Sequence, residues 1–110
     1  MPIEKVSGSN TGVYVGVLQK DYADLDRRDP EIGALYLATG TGPAMLSNRI
    51  SYSFNLKGPS ITVDTACSAS LVALHLACQS LRTGETKQAI IGGTNMIINP
   101  DILISMSLLG

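Results

Sequence analysis

The sequence predicts an α/β fold built in layers, and three observations carry that reading. Short β-branched runs recur at residues 13–17, 61–63 and 89–91. Longer segments with helix-start and helix-stop chemistry lie between them. Apolar residues make up 45% of the 110 positions, enough to build a core about the size of one small domain. Strands alternating with helices bury their apolar faces by stacking helices on a sheet.

Val13-Tyr14-Val15-Gly16-Val17 reads as a buried strand flanked by Gly12. The charged stretch from Lys20 to Asp29 reads as exposed. Asp29-Pro30-Glu31 supplies an N-cap, a first-turn proline and a first-turn carboxylate, so a helix is expected from there to about Ala38, closed by Thr39-Gly40. Thr41-Gly42-Pro43 opens a second helix, on which Met45, Leu46 and Ile50 share roughly one side. Asn55-Leu56-Lys57-Gly58-Pro59 is a turn, and Ile61-Thr62-Val63 a strand.

Residues 67–81 are too long and apolar for one strand; as a helix they carry apolar residues on most faces, which predicts a largely buried element. Arg82-Thr83-Gly84 ends it with a cation and a glycine. Ala89-Ile90-Ile91 is a strand expected to stop at Gly92-Gly93, and Asn99-Pro100-Asp101 opens a short apolar helix. The apolar faces of these last two helices require partners, so exposed hydrophobic surface is expected on the chain alone. The end at Leu108-Leu109-Gly110 follows an apolar helix, an awkward place for a domain to stop.

Composition narrows the partners. A formal net charge of −1 and the lack of a Lys/Arg cluster argue against nucleic acid. No stretch approaches the roughly 20 apolar residues of a membrane span, and Met1-Pro2-Ile3-Glu4-Lys5 lacks the apolar run of a secretory signal. A soluble, cytoplasmic protein is the expectation. Cys67 and Cys78 fit neither a redox pair nor zinc-ligand spacing, and on one helix they would stand roughly 16 Å apart, so they are independent thiols. Gly40-Thr41-Gly42 is followed by Met45 where a dinucleotide fingerprint needs glycine, and no nucleophile-elbow serine or metal-spaced cluster occurs.

Cys67 is the candidate nucleophile. It stands where a strand turns into a helix, and a helix N-terminus presents unpaired N–H groups and partial positive charge that favour a thiolate. Such an end can lower a thiol pKa by about one unit, which leaves room for a histidine or another cation. The same N–H groups, that of Cys67 included, are candidate oxyanion donors. Asp64 is expected to point away from the sulfur or to cap backbone N–H groups, and Thr65 and Ser68 are read as turn or capping residues. Cys78 is read as core. On a continuous helix His75 would lie roughly 12 Å along the axis from Cys67 and about 80° around it, so it is not the base for that sulfur.

The run Val63-Asp64-Thr65-Ala66-Cys67-Ser68-Ala69-Ser70-Leu71-Val72-Ala73-Leu74-His75 resembles the active-site segment of β-ketoacyl synthases, in particular the ketosynthase domains of type I polyketide synthases. The likeness extends through Asn48-Arg49-Ile50-Ser51-Tyr52, Gly58-Pro59-Ser60 and Gly92-Gly93-Thr94-Asn95. Asn10 to Gly16, Gln19 to Tyr22 and Arg28 to Glu31 look most like the reducing iterative synthases of fungi.

The resemblance implies a thiolase-like α/β/α fold, of which residues 1–110 are the N-terminal part containing the nucleophile segment. It implies that Cys67 takes an acyl chain from the phosphopantetheine arm of an acyl carrier protein, with no cofactor bound directly, and that a malonyl unit decarboxylates and attacks the thioester. The family uses two further histidines for that step, expected beyond Gly110, so the chain alone is expected to be inactive. Homodimerisation of the parent is implied too, with Thr65 and the strand before it near the axis. Two other readings stay open: a thiolase-type acyltransferase that uses no malonyl unit, and an inert structural fragment.

Overall fold

The computed structural model describes residues 2–18, 21–28 and 37–110. Helix α1 (Ile3–Val6) leads into strand β1 (Thr11–Val17), followed by α2 (Asp21–Arg27), α3 (Leu37–Thr41) and α4 (Met45–Ser53). Strand β2 (Ser60–Val63), helix α5 (Ala69–Arg82), strand β3 (Gln88–Thr94) and helix α6 (Asp101–Ser107) complete the order.

The three strands form a parallel sheet in the order β2-β1-β3. Val15 of β1 lies opposite Thr62 on one side and Gly92 on the other. Every residue of β1 is buried, as a central parallel strand covered on both faces must be. Alternate side chains divide between those faces. Val13 and Val15 pack with Leu56, Val6 and Ile50 of α4, whereas Tyr14 packs with Ala73, Ala77 and Leu76 of α5. Helix α4, the sheet and α5 are therefore the three layers of an α/β/α arrangement, as the sequence predicts.

Several elements depart from the sequence reading. The stretch read as exposed contains α2, with Asp21 and Ala23 buried. The helix expected from Asp29-Pro30-Glu31 has its start outside the described residues. Helix α3 lies at its expected end and runs through Gly40 to Thr41, closed by the Gly42 N–H donating to the Ala38 carbonyl at 3.0 Å. Strand β3 does not stop at Gly92-Gly93 but pairs through both to Thr94.

Helix α5 begins at Ala69 rather than Cys67, and it buries a narrower stripe than predicted. Ala69, Ala73, Ala77 and Ser80 face inward, while Leu71, Leu74 and Leu81 are exposed. The inward residues are spaced four, four and three apart, which keeps them on one helix face. Small side chains there allow the helix backbone to approach the sheet closely.

Buried hydroxyls tie the layers together. Ser47 of α4, fully buried, meets Thr62 of β2 at 3.0 Å, and Ser80 of α5 meets Thr86 ahead of β3 at 2.9 Å. These bonds satisfy the buried hydroxyls of Ser47, Ser80 and Thr86, with the half-buried Thr62 as the partner of Ser47.

Candidate active site

The turn from β2 into α5 is held in a conformation that most residues avoid. Ala66 has φ 56°, in the left-handed region, which costs a residue with a Cβ roughly 1–2 kcal/mol. Side chains around it stabilise the bend. Asp64 Oδ1 accepts the Ala66 N–H at 3.1 Å, and Ser68 donates its hydroxyl to the Thr65 carbonyl at 2.8 Å. Ser68 and Thr65 hydroxyls also lie 2.8 Å apart. Asp64 thus caps backbone, and Thr65 and Ser68 are turn residues, as expected.

The bend presents Cys67 to solvent two positions ahead of the first residue of α5. Ser68 occupies the N-cap position, but its hydroxyl is turned back to Thr65 and caps no helix N–H. The Cys67 N–H has no hydrogen-bond partner among the described residues. An exposed thiol beside an unpaired N–H can attack a carbonyl carbon and hold the resulting oxyanion.

Two glycines make this placement possible. A Cβ on Gly16 would stand 2.5 Å from the backbone of Ala69 and Ser70, and one on Gly93 would stand 2.8 Å from the Ser70 Cβ. The first turn of α5 therefore rests directly on the backbone of β1 and β3, with no space for side chains between. Neither glycine was identified as a site residue from the sequence, nor was the left-handed Ala66. A glycine between valines in a β-branched run, as at Gly16, is the signal that could have pointed to a close approach.

Cys67 opens into a shallow depression of about 430 Å³ whose other walls include Gly16, Leu18, Ser70, Gly93 and Asn95. It lies at the carboxyl ends of the strands, where open α/β sheets bind their ligands. A larger cavity of about 590 Å³ adjoins it, with Val17, Thr94 and Asn95 lining both. Tyr22, Leu46 and Met96 give the larger space an apolar character.

The other sequence candidates stand apart from this site. Cys78 is half-buried on α5 and unbridged. His75 is exposed, with Gln79 Nε2 3.5 Å from its Nε2. Among the described residues, no group of three or more His, Cys, Asp or Glu side chains is arranged to hold a metal ion, and no helix is long and apolar enough to cross a membrane.

Comparison with known proteins agrees with this geometry. The family profile described as "Beta-ketoacyl synthase, N-terminal domain" matches residues 1–110. The chain is 56% identical over 108 residues to the compactin diketide synthase mlcB of Penicillium citrinum, covering 98% of this chain and 4% of that synthase. It is 50% identical over 110 residues to the lovastatin diketide synthase lovF of Aspergillus terreus, again covering 4% of the larger protein. Among solved structures, the ketosynthase from module 6 of the bacillaene synthase of Bacillus subtilis 168 superposes with a TM-score of 0.83 at 34% identity, over 99% of this chain and 18% of that one. The chain spans a small part of each relative, and it belongs to the β-ketoacyl synthase family.

Proposed function

We propose that this chain supplies the nucleophile of a ketosynthase that extends polyketide chains in a highly reducing synthase of the fungal type, acting in the cytoplasm. The observation that carries the proposal is the exposed Cys67 thiol at the β2–α5 bend, with its own N–H unpaired among the described residues. Cys67 attacks the carbonyl of an acyl thioester carried on the phosphopantetheine arm of an acyl carrier protein. The new C–S bond forms to Cys67, the bond to the carrier breaks, and the carrier thiol leaves with the proton. The Cys67 N–H is placed to donate to the carbonyl oxygen while it is negative.

In the second half-reaction a malonyl unit on a carrier protein loses carbon dioxide. The resulting carbanion attacks the Cys67 thioester, a C–C bond forms, and the Cys67 thiolate is expelled and reprotonated. His75 is assigned no part in this, since it stands about two helical turns into α5 with Gln79 beside it. By the family resemblance, histidines outside residues 1–110 assist this step, and the parent is a homodimer. Strand β2 lies at an edge of the sheet with Ile61 exposed, which suits pairing across an axis. No observation favours a non-decarboxylating thiolase.

The test is condensation by the intact synthase. Cys67→Ala is expected to abolish β-ketoacyl product, and Cys78→Ala to retain it. Product formation by Cys67→Ala at the unaltered rate would refute the proposal.

A further inference from the structure

A buried carboxylate outside the Cys67 bend organises one wall of the site. Asp21, the first residue of α2, is only 7% exposed, and carboxylates are seldom buried so far without partners. Its Oδ2 accepts the backbone N–H groups of Ile98 at 2.9 Å and Asn99 at 3.0 Å. Asn99, itself buried, accepts the Asp101 N–H at 3.0 Å through Oδ1. Arg28, just past the other end of α2, pairs with the Asp101 carboxylate at the start of α6. Both ends of α2 thus hold the connection from β3 to α6.

That connection carries the wall. Asn95 lines the Cys67 depression and the adjoining cavity, and Met96 lines the cavity. The exposed Arg28–Asp101 pair contributes little energy, whereas the buried bonds to Asp21 are charge-assisted and are what fix the segment. Asp21 lines the larger cavity but not the depression around the sulfur. Moving the wall therefore alters the apolar space beyond the thiol more than the thiol's own surroundings.

We propose that Asp21 is a positioning residue that, by fixing the β3–α6 connection, sets which acyl chain lengths Cys67 accepts. The inference rests on the reading of Cys67 as the acyl acceptor. A pocket that distinguishes chains by their methylenes discriminates by roughly tenfold or more per group, so a displaced wall has a measurable consequence.

The experiment uses the intact synthase and a series of acyl-N-acetylcysteamine thioesters from acetyl to octanoyl, with Cys67 acylation rates read by mass spectrometry. Iodoacetamide alkylation of Cys67 and a thermal melt are run in parallel. Asp21→Ala is expected to flatten the chain-length profile by about tenfold while the alkylation rate stays within about twofold of the parent. One oxygen accepts both N–H bonds, so Asp21→Asn, which keeps that acceptor but loses the charge, is expected to restore the profile in large part, and a profile as flat as that of Asp21→Ala overturns the inference.

A folded Asp21→Ala protein with the parental profile overturns the inference, as does an equal fall in alkylation and in acylation by every chain. If Asp21→Ala fails to fold, Asp21→Glu decides: its carboxylate sits one methylene further out, so an altered profile is expected and an unaltered one overturns the inference. Failure of the parent synthase to acylate Cys67 at all would remove the reading of Cys67 itself, whereas acylation indifferent to residue 21 removes only the role of Asp21.

Discussion

At the scale of single residues, the site depends on a backbone conformation as much as on a thiol. Ala66 stands at φ 56°, and the bend that aims Cys67 outward is sustained by the hydrogen bonds of Asp64, Thr65 and Ser68. A β-branched side chain is the least tolerant of that region. Ala66→Val is therefore expected to destabilise beyond the cost that Ala66 already bears and to slow acylation of Cys67, while Ala66→Gly, which relieves that cost but loosens the unfolded chain, leaves both close to the parent. Thermal melts and single-turnover acylation of the two variants check this; equal behaviour would show that the left-handed turn is not required. The strand-to-helix turn that carries Cys67 was legible from residue types, whereas the role proposed for the thiol leans on the resemblance of residues 63–75 to the ketosynthase active-site segment. The conformation of Ala66 was not legible, because alanine gives no local sign of a positive φ.

At the scale of elements, the position of α5 follows from what lies beneath it. Gly16 and Gly93 admit the helix backbone, whereas a Cβ on Gly92 would meet only Val15 Cγ2 at 3.9 Å, an ordinary contact. Gly16→Ala and Gly93→Ala are each expected to destabilise by roughly 1–3 kcal/mol, as overpacking does, and to reduce Cys67 acylation. Gly92→Ala is expected to be near neutral in both measurements. A reversed order, with Gly92 the sensitive position, would mean that α5 is seated differently. The strands were legible because β-branched runs mark them wherever they pair. Helix α2 was not: Asp21 reads as a surface charge until the N–H groups of Ile98 and Asn99, far along the chain, come to meet it. The exposure of the α5 leucines has a related reason. Apolar periodicity shows that a face wants cover, and the sheet accepts only the alanine stripe.

At the scale of the molecule, the described fold leaves much apolar surface uncovered. Leu71 on α5, Leu103, Ile104 and Met106 on α6, and Leu108 and Leu109 beyond it are all exposed. Exposed apolar side chains in this number promote association. Residues 1–110 alone are therefore expected to bind a hydrophobic dye and to elute as broad, concentration-dependent species in size-exclusion chromatography. A monodisperse monomer with a sharp melt would contradict that. The alternation of strands and helices was enough to read the layered architecture, because it depends on the order of elements. The wall of the cavity depends on contacts between distant segments, and no local pattern encodes them.

The role of Cys67 is tested by incubating the intact synthase with a butanoyl thioester, quenching in acid, and mapping the modified peptide by mass spectrometry. Within the ketosynthase, a butanoyl adduct is expected on Cys67, lost in Cys67→Ala and unaffected in Cys78→Ala. An adduct confined to Cys78, or one that persists at the ketosynthase after Cys67→Ala, would contradict that role.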